Sequence, residues 1–369
     1  MATGAEAAPL AAVPCSYYFG AGPAVLPPEV IAEIRAELPA FRGSGVSILE
    51  LGHRSPEFRT VMRETEGDLR ELMAIPPDYA VLCMQGGATL QFAMAPLNLG
   101  DHGAYLVTGQ WSAKAWREAE RVADAQAVWD GTADGYTRVP ERHEWRVPHA
   151  AGYLHYTVNE TIAGVEFHAA PASAGVPLAA DMTSMILSRP VKVSEHALIY
   201  ASAQKNLGIA GITVVILNPA ALRTPPRGTP SLLDYRVSLE AESLPHTPPV
   251  FAWYVLGKML KWTRSQGGVG AMAARNQRKA ELLYAVLDAS DFYLNAVDKS
   301  SRSWMNVPFR LHDQKLEALF LQEAAATGLK NLAGHRSSGG MRASIYNAMP
   351  EAGVATLAEF MRDFARRYG

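Results

Sequence analysis

Short apolar runs alternate with amphipathic stretches along most of this 369-residue chain. From Pro28 onward, Val30, Ile31, Ile34 and Leu38 recur at helical spacing, and proline suits a first turn, so a helix is predicted there with these four on its buried face. A second helix is predicted after Ser55-Pro56, with Phe58, Val61, Met62, Leu69 and Leu72 turned inward. Apolar runs then predict strands at 79–84, 104–107, 125–129, 153–157, 176–180, 198–201 and 212–217, with helices around 91–95 and over 112–123. Strands and helices in alternation argue for an α/β domain on a mainly parallel sheet. Prolines crowd residues 218–250, from Pro219 to Pro249, and predict a long irregular connection. A helix over about 251–264 ends at Gln266-Gly267-Gly268, and that glycine pair is the candidate domain boundary. Further helices, a short strand at 307–311 and a glycine-rich loop at 334–340 follow. The resulting division is a frayed tail at 1–16, a segment at 17–28 packing with the smaller domain, a large domain at 29–266 and a small C-terminal domain at 267–369.

Composition narrows the class. A hydrophobic content of 49% with 19% charged residues fits an ordinary globular chain and excludes a disordered one. The net charge of −2 gives no electrostatic footprint for nucleic acid. No apolar run approaches the roughly 18 residues that span a bilayer, so no membrane partner is expected. The first 16 residues contain Glu6 and neither Lys nor Arg, unlike a secretory leader or an Arg-rich transit peptide. Cys15 and Cys83 are the only cysteines and form no CxxC, which argues against a disulfide framework or a metal site and suits a reducing cytoplasm.

Four stretches carry candidate chemistry. In MQGGATLQF, residues 84–92, a strand meets two glycines and then a helix, so free N–H groups and the Thr89 hydroxyl make a phosphate cradle. In VPLAADMTS, residues 176–184, an apolar strand delivers Asp181 at its carboxyl end. In IYASAQKNLG, residues 199–208, Lys205 stands in a polar turn after another apolar strand, 24 residues beyond Asp181. In GHRSSGGMRASIYNAM, residues 334–349, His335, Arg336 and Arg342 surround a glycine turn, and arginine's planar fork matches carboxylate or phosphate. Each has a plain structural reading alone: a strand–helix turn, an N-cap aspartate, a solvated lysine, a basic loop. Trp111 alone is equally well a partly buried core indole, and Arg54 a surface charge. Together, a phosphate cradle, an aspartate and a lysine are the parts pyridoxal 5'-phosphate needs. Lysine holds the cofactor's aldehyde, aspartate keeps the ring nitrogen protonated, and Trp111 at a further strand end can stack on the ring.

At these residues the chain resembles the phosphoserine aminotransferase family, within the class-V aminotransferases and the fold-type I, aspartate-aminotransferase-like superfamily of pyridoxal-phosphate enzymes. The resemblance runs from about Tyr17 to Gly369 and includes GAGPAVLP, GHRSPEF, QGGATLQF, VNETIAGVEF, AADMTSMILSRP, YASAQKNLG, PSLLDYR, HTPPVFAWYV, MNVPF and GHRSSGGMRASIYNAMP. It implies an α/β fold with a mainly parallel seven-stranded sheet in the large domain and a smaller C-terminal α/β domain. It implies a homodimer with shared active sites. Lys205 would carry the cofactor, with Gln204 beside it touching the phosphate. Ala88 and Thr89 would bind the phosphate, Trp111 would stack on the ring, Thr161 would bond near the phenolic oxygen, and Asp181 would meet the ring nitrogen. His246 and Thr247 would complete the neighbouring subunit's phosphate site. Arg342 would hold the substrate α-carboxylate. Arg54, with the partner subunit's His335 and Arg336, would hold the distal phosphate or carboxylate.

The implied reaction moves an amino group reversibly between glutamate and 3-phosphohydroxypyruvate, giving O-phospho-L-serine and 2-oxoglutarate in serine biosynthesis. Members of the family also serve vitamin B6 synthesis by forming 4-phosphohydroxy-L-threonine, and that reaction stays open for this chain. The chain makes three departures from the family pattern. Gly20 and Ala21 stand where many members have serines, His246 stands where many have asparagine, and Thr89 stands where some have arginine. The rival readings are another fold-type I activity and a homologue that has lost catalysis. Among the former, a cysteine desulfurase needs a mobile cysteine, and Cys83 lies in a predicted strand while Cys15 lies in the tail. Lys205, Asp181 and Arg342 together argue against the latter.

Overall fold

The apolar runs of the first two-thirds of the chain become one seven-stranded sheet in a computed structural model that describes residues 16–369. The expected tail falls on residues that lie, except for Ser16, outside the described ones. The strands are β1 (Ala80–Met84), β2 (His102–Val107), β3 (Asp124–Asp130), β4 (Tyr153–Thr157), β5 (Leu178–Asp181), β6 (His196–Ser202) and β7 (Thr213–Leu217). Their spatial order is β1-β7-β6-β5-β4-β2-β3. Neighbours run parallel except where β7 pairs antiparallel with β1 and β6. Every residue of β4 to β7 is buried, as expected of a sheet covered on both faces.

Successive side chains of these strands enter opposite cores, the period-two rule of a pleated strand. Ile199 and Ala201 of β6 pack with α1 (Pro28–Glu37), α2 (Pro56–Met73) and a later helix, α6 (Val250–Ser265). Leu198 and Tyr200 pack on the other side with α3 (Gly87–Leu99) and α4 (Gln110–Ala119). Within α1 the sequence reading needs one correction. Val30 is buried, and Ile34 and Leu38 pack against the core, but Ile31 is 52% exposed. Residues four apart make the stripe, and Ile31 lies about 100° around the helix from Val30.

The proline-rich connection is not irregular throughout. It contains α5 (Tyr235–Glu240), started by the Asp234 carboxylate, which accepts the Arg236 N–H at 2.9 Å. After α6, α7 (Gly268–Leu287) opens the C-terminal part, followed by α8 (Glu317–Ala326) and α9 (Glu351–Tyr368). There β8 (Tyr293–Leu294), β9 (Asn306–Leu311) and β10 (Met341–Ser344) form an antiparallel sheet in the order β10-β9-β8. A separate apolar cluster fills this region, and Phe19 from the start of the chain belongs to it. Tyr17–Tyr18 pairs in parallel with Leu329–Lys330, which ties the N-terminal segment to the C-terminal part.

The carboxyl ends of β1, β2, β4, β5 and β6 share one edge of the large sheet, because these five strands point the same way. Open α/β sheets bind ligands at that edge.

Candidate active site

A cavity of about 520 Å³ opens at this edge, lined by Lys205, Asp181, Trp111 and the N-terminus of α3. A second cavity of similar volume lies among α2, β1 and α6, against Arg59, Cys83 and Trp253, and none of the candidate residues reaches it.

Lys205 follows β6 by three residues, and its turn is covered from above by the N-terminal segment, where the Ala24 N–H donates to the Gln204 carbonyl at 2.9 Å. The lysine is 8% exposed, and its Nζ donates to the Thr161 hydroxyl at 2.6 Å. Burial pushes its pKa down to about 8; Arg342 pushes the same way, while Asp181 and Glu160 oppose it. An amine held there is partly neutral near that pH, so it can act as a nucleophile and as a base.

Asp181 ends β5 beside Thr157 and Tyr200 of the neighbouring strands. Its Oδ1 accepts the Thr183 N–H at 2.9 Å, yet burial still raises its pKa above the ordinary carboxylate range. Such a carboxylate favours a cation beside it, as a protonated pyridine nitrogen provides. The buried Thr157 hydroxyl has no hydrogen-bond partner among the described residues.

The phosphate cradle forms where Gly86, at φ 95°, turns β1 into α3. The N-cap residue, Gly86, offers no side chain, and among the described residues the N–H groups of Gly87 and Thr89 have no acceptor. The Ala88 N–H is taken by the Ser202 hydroxyl at 2.6 Å, so that hydroxyl stands at the same spot. A helix start with free donors accepts an anion. Gln204, Thr89 and Ser202 line the cavity around it.

Trp111 is set by a residue the sequence reading did not single out. Glu160 is fully buried, and its carboxylate accepts the Trp111 N–H at 3.0 Å, the Ser112 N–H at 2.8 Å and the Ser112 hydroxyl at 2.6 Å. These bonds fix the start of α4 and hence the indole. Gly109 makes room for them, since a Cβ there would come 2.4 Å from Glu160. An acidic residue before Thr161 was visible in the sequence, but its target 49 residues away was not. Ser202 carried a weak signal, as the first polar residue after the apolar run.

Arg342 and His335 line the same cavity. The Arg342 side chain has no hydrogen bond or ion pair among the described residues, its Nε is buried, and burial lowers its pKa. A guanidinium left unpaired in such a place suits an incoming carboxylate. Arg54, Arg336, His246 and Thr247 are exposed, and none of the four lines the cavity of its own chain. His246 and Thr247 instead sit by Gln85, whose Nε2 donates to the Thr247 carbonyl at 3.1 Å. Cys83 is buried, and burial pushes its thiol pKa up, which removes it as a nucleophile.

The donor set therefore fits pyridoxal phosphate: an amine, a buried carboxylate, an anion-accepting helix start and a flat indole converge on one cavity. Residues 16–357 match the aminotransferase class-V family. A phosphoserine aminotransferase of Hahella chejuensis is 51% identical over 354 residues, covering 95% of this chain and 98% of that protein. One from Acidithiobacillus ferrooxidans is 50% identical over 357 residues, covering 96% and 99%. Among solved structures, phosphoserine aminotransferase from Bacillus circulans subsp. alkalophilus superposes with a TM-score of 0.93 at 41% identity, over 96% of this chain and 99% of that one. A pyridoxal-phosphate-bound phosphoserine aminotransferase from Trichomonas vaginalis gives 0.90 at 35% identity, over 94% and 100%. The chain belongs to the class-V aminotransferase family, in its phosphoserine aminotransferase branch.

Proposed function

We propose that this protein is a pyridoxal-phosphate-dependent transaminase that moves an amino group reversibly between glutamate and 3-phosphohydroxypyruvate, giving O-phospho-L-serine and 2-oxoglutarate. The observation that carries this reading is the convergence of Lys205, Asp181 and the unpaired Arg342 on one cavity, in a chain about half identical to phosphoserine aminotransferases over nearly its whole length.

Bound pyridoxal phosphate supplies the aldehyde and the electron-withdrawing ring for this chemistry. Lys205 would hold it, and its Nζ, with a pKa near 8 and a bond to the Thr161 hydroxyl, would be the group that moves a proton. Asp181 would favour a cationic ring nitrogen. Thr89, Ala88, Gln204 and the Ser202 hydroxyl would hold the phosphate, and the Glu160-fixed Trp111 would offer its indole for stacking. Arg342 takes the α-carboxylate.

The distal anion of phosphoserine, or the γ-carboxylate of glutamate, requires a second cationic group. His335 already stands at the cavity, whereas Arg54 and Arg336 stand outside it. A homodimer would complete the site by bringing the partner subunit's Arg336 and His335 against Arg54. The exposure of His246 and Thr247 supports the same arrangement, because exposed side chains are open to contact from a neighbouring subunit. We place the domain boundary at Gly267-Gly268, between α6 and α7, the helix whose residues from Ala280 onward join the separate C-terminal core, and the enzyme in the cytoplasm. Among the described residues no helix is long and apolar enough to cross a membrane.

The test is spectroscopic and kinetic. Purified protein should show a visible cofactor band that glutamate shifts, and it should convert phosphoserine and 2-oxoglutarate to phosphohydroxypyruvate and glutamate. Absence of the band after reconstitution with pyridoxal phosphate would remove the reading.

A further inference from the structure

α7 turns two fully buried polar side chains, Asn276 and Lys279, toward residues 345–349. That segment leads from β10, which bears Arg342, into α9. The Lys279 Nζ donates to the carbonyls of Ile345 at 2.9 Å, Tyr346 at 2.8 Å and Met349 at 3.1 Å. Three carbonyls around one nitrogen need three N–H donors, and only the ammonium has three. A neutral amine would turn a lone pair toward one of the carbonyl oxygens. Among the described residues no carboxylate bonds this ammonium. Burial pushes its pKa down to about 7, Arg275 on the same helix adds to the shift, and Glu351 at the start of α9 opposes it while itself bridged to Arg278. An isolated buried charge is a stability cost, and sites that break a packing rule in this way tend to be sites with a task.

The hydrogen bonds lead from this ammonium to the reaction centre. The Asn276 Nδ2 donates to the Ser188 carbonyl at 2.9 Å and to the Asn347 Oδ1 at 2.8 Å. The Asn347 Nδ2 donates to the Leu187 carbonyl at 2.9 Å, and the Asn347 N–H donates to the Asn206 Oδ1 at 3.0 Å. Asn206 is the neighbour of Lys205, and its Nδ2 is anchored on the Ile186 carbonyl at 2.9 Å. On its other side the segment reaches the N-terminal stretch, where the Tyr346 hydroxyl donates to the Ala21 carbonyl at 2.8 Å. Residues 345–349 are thus held by α7, by the turn at 186–188 and by the lysine turn at once.

We propose that Lys279 is a positioning residue for transamination: its ammonium clamps residues 345–349, and the Asn276–Asn347–Asn206 relay then fixes the separation between Arg342 and Lys205. The proposal rests on the roles given above to those two residues. It assigns a buried lysine outside the cavity to the geometry of the cavity.

Hydrogen exchange on the cofactor-free protein tests the clamp without relying on catalysis. Lys279→Met keeps the length and packing of the side chain and removes its donors. Amides in 341–350 and 204–208 should exchange about tenfold faster or more, the effect of losing roughly 1.4 kcal/mol of local protection, while those of β4 to β6 keep their rates. In the loaded enzyme the KM for glutamate should rise about tenfold, with kcat changed by less than roughly threefold. Acceleration spread evenly over the C-terminal part would mean a merely structural lysine and would overturn the proposal. Unchanged protection at 204–208, or local loosening with an unaltered KM, would overturn it as well. If Lys279→Met does not fold, Asn276→Leu cuts the relay while leaving the ammonium, and it must loosen 204–208 in the same local way for the proposal to stand. Turnover by the wild type reports separately on the functional reading.

Discussion

The Lys205 Nζ donates a 2.6 Å hydrogen bond to the Thr161 hydroxyl, across 44 positions of sequence. That bond joins a polar turn after β6 to the segment that also carries Glu160 and therefore sets Trp111. The reactive amine is therefore held between parts of the chain that meet only in the folded protein.

Lys205→Ala should abolish transamination and leave the fold intact, because the lysine is a reactant and its Nζ makes a single hydrogen bond, to Thr161. Lys205→Met tests its charge. The folded pKa of about 8 lies below the ordinary lysine value of 10.5, so between these limits the unfolded chain binds more protons. Stability of the cofactor-free wild type should then rise with pH across that window, and the cost of burying the charge is fully present below pH 8. Lys205→Met should be more stable than the cofactor-free wild type at pH 7, by about 1–3 kcal/mol, with the gap closing near pH 10. Urea melts at the two pH values check this, and a gap independent of pH would show that Lys205 titrates in the folded protein as it does in the unfolded chain, with no lowered pKa.

Asp181→Asn separates stability from catalysis. Burial raises the Asp181 pKa, so the fold disfavours its carboxylate. The cost is absent below the ordinary value of 3.8 and complete above the raised value. At pH 7 the amide should therefore stabilise the cofactor-free protein. The same change removes the anion that keeps the ring nitrogen protonated, so kcat should fall by several powers of ten, each worth about 1.4 kcal/mol of barrier. A variant with full turnover would reduce Asp181 to a cap on the Thr183 N–H.

The sequence showed these two residues because each ends an apolar run, and strand ends in an α/β sheet share one edge. The order of the sheet could not be read from period-two patterning, since buried strands give no mark of their neighbours. The targets of Glu160, Ser202, Asn276 and Lys279 were illegible for a related reason: each acts on backbone groups of a distant segment. Lys279 in particular looks like an ordinary charged helix position until the three carbonyls around it are seen. Ile31 misled because an isoleucine beside a valine looks like part of the stripe, although one step along a helix turns it well away from the core.

Glu160→Gln should loosen Trp111 and weaken cofactor retention. A carboxylate accepts all three bonds from Trp111 and Ser112, whereas an amide turns an NH₂ toward one of those donors. The cofactor dissociation constant should rise about tenfold, and the visible band should move. Gly109→Ala, which drives a Cβ into the same carboxylate, should give the same spectral change by an independent route. Equilibrium dialysis and absorbance measure both. Wild-type retention in both variants would separate Glu160 from the site.

The two ends of the substrate should be separable by mutation. Arg342 lines the cavity unpaired, and Arg336 stands exposed outside it. A charge-assisted bond to a buried anion is worth roughly 1.5–3 kcal/mol, so Arg336→Ala should raise the apparent KM for phosphoserine about ten- to a hundredfold. Any turnover of alanine, which has no distal anion, should suffer far less. Arg342→Ala should hurt every amino acid alike, because each carries an α-carboxylate. If Arg336 serves the neighbouring subunit, Lys205→Ala and Arg336→Ala chains combined in one dimer should regain a single working site. That site pairs the intact lysine of one chain with the intact arginine of the other. The second site carries both defects and stays silent, so phosphoserine turnover at low substrate should approach half that of the wild type per dimer. Tagged heterodimers, purified and assayed against each parent homodimer, give the measurement. No gain over the parents would place Arg336 in its own chain's site, and the distal anion would then be held by one chain without the partner subunit.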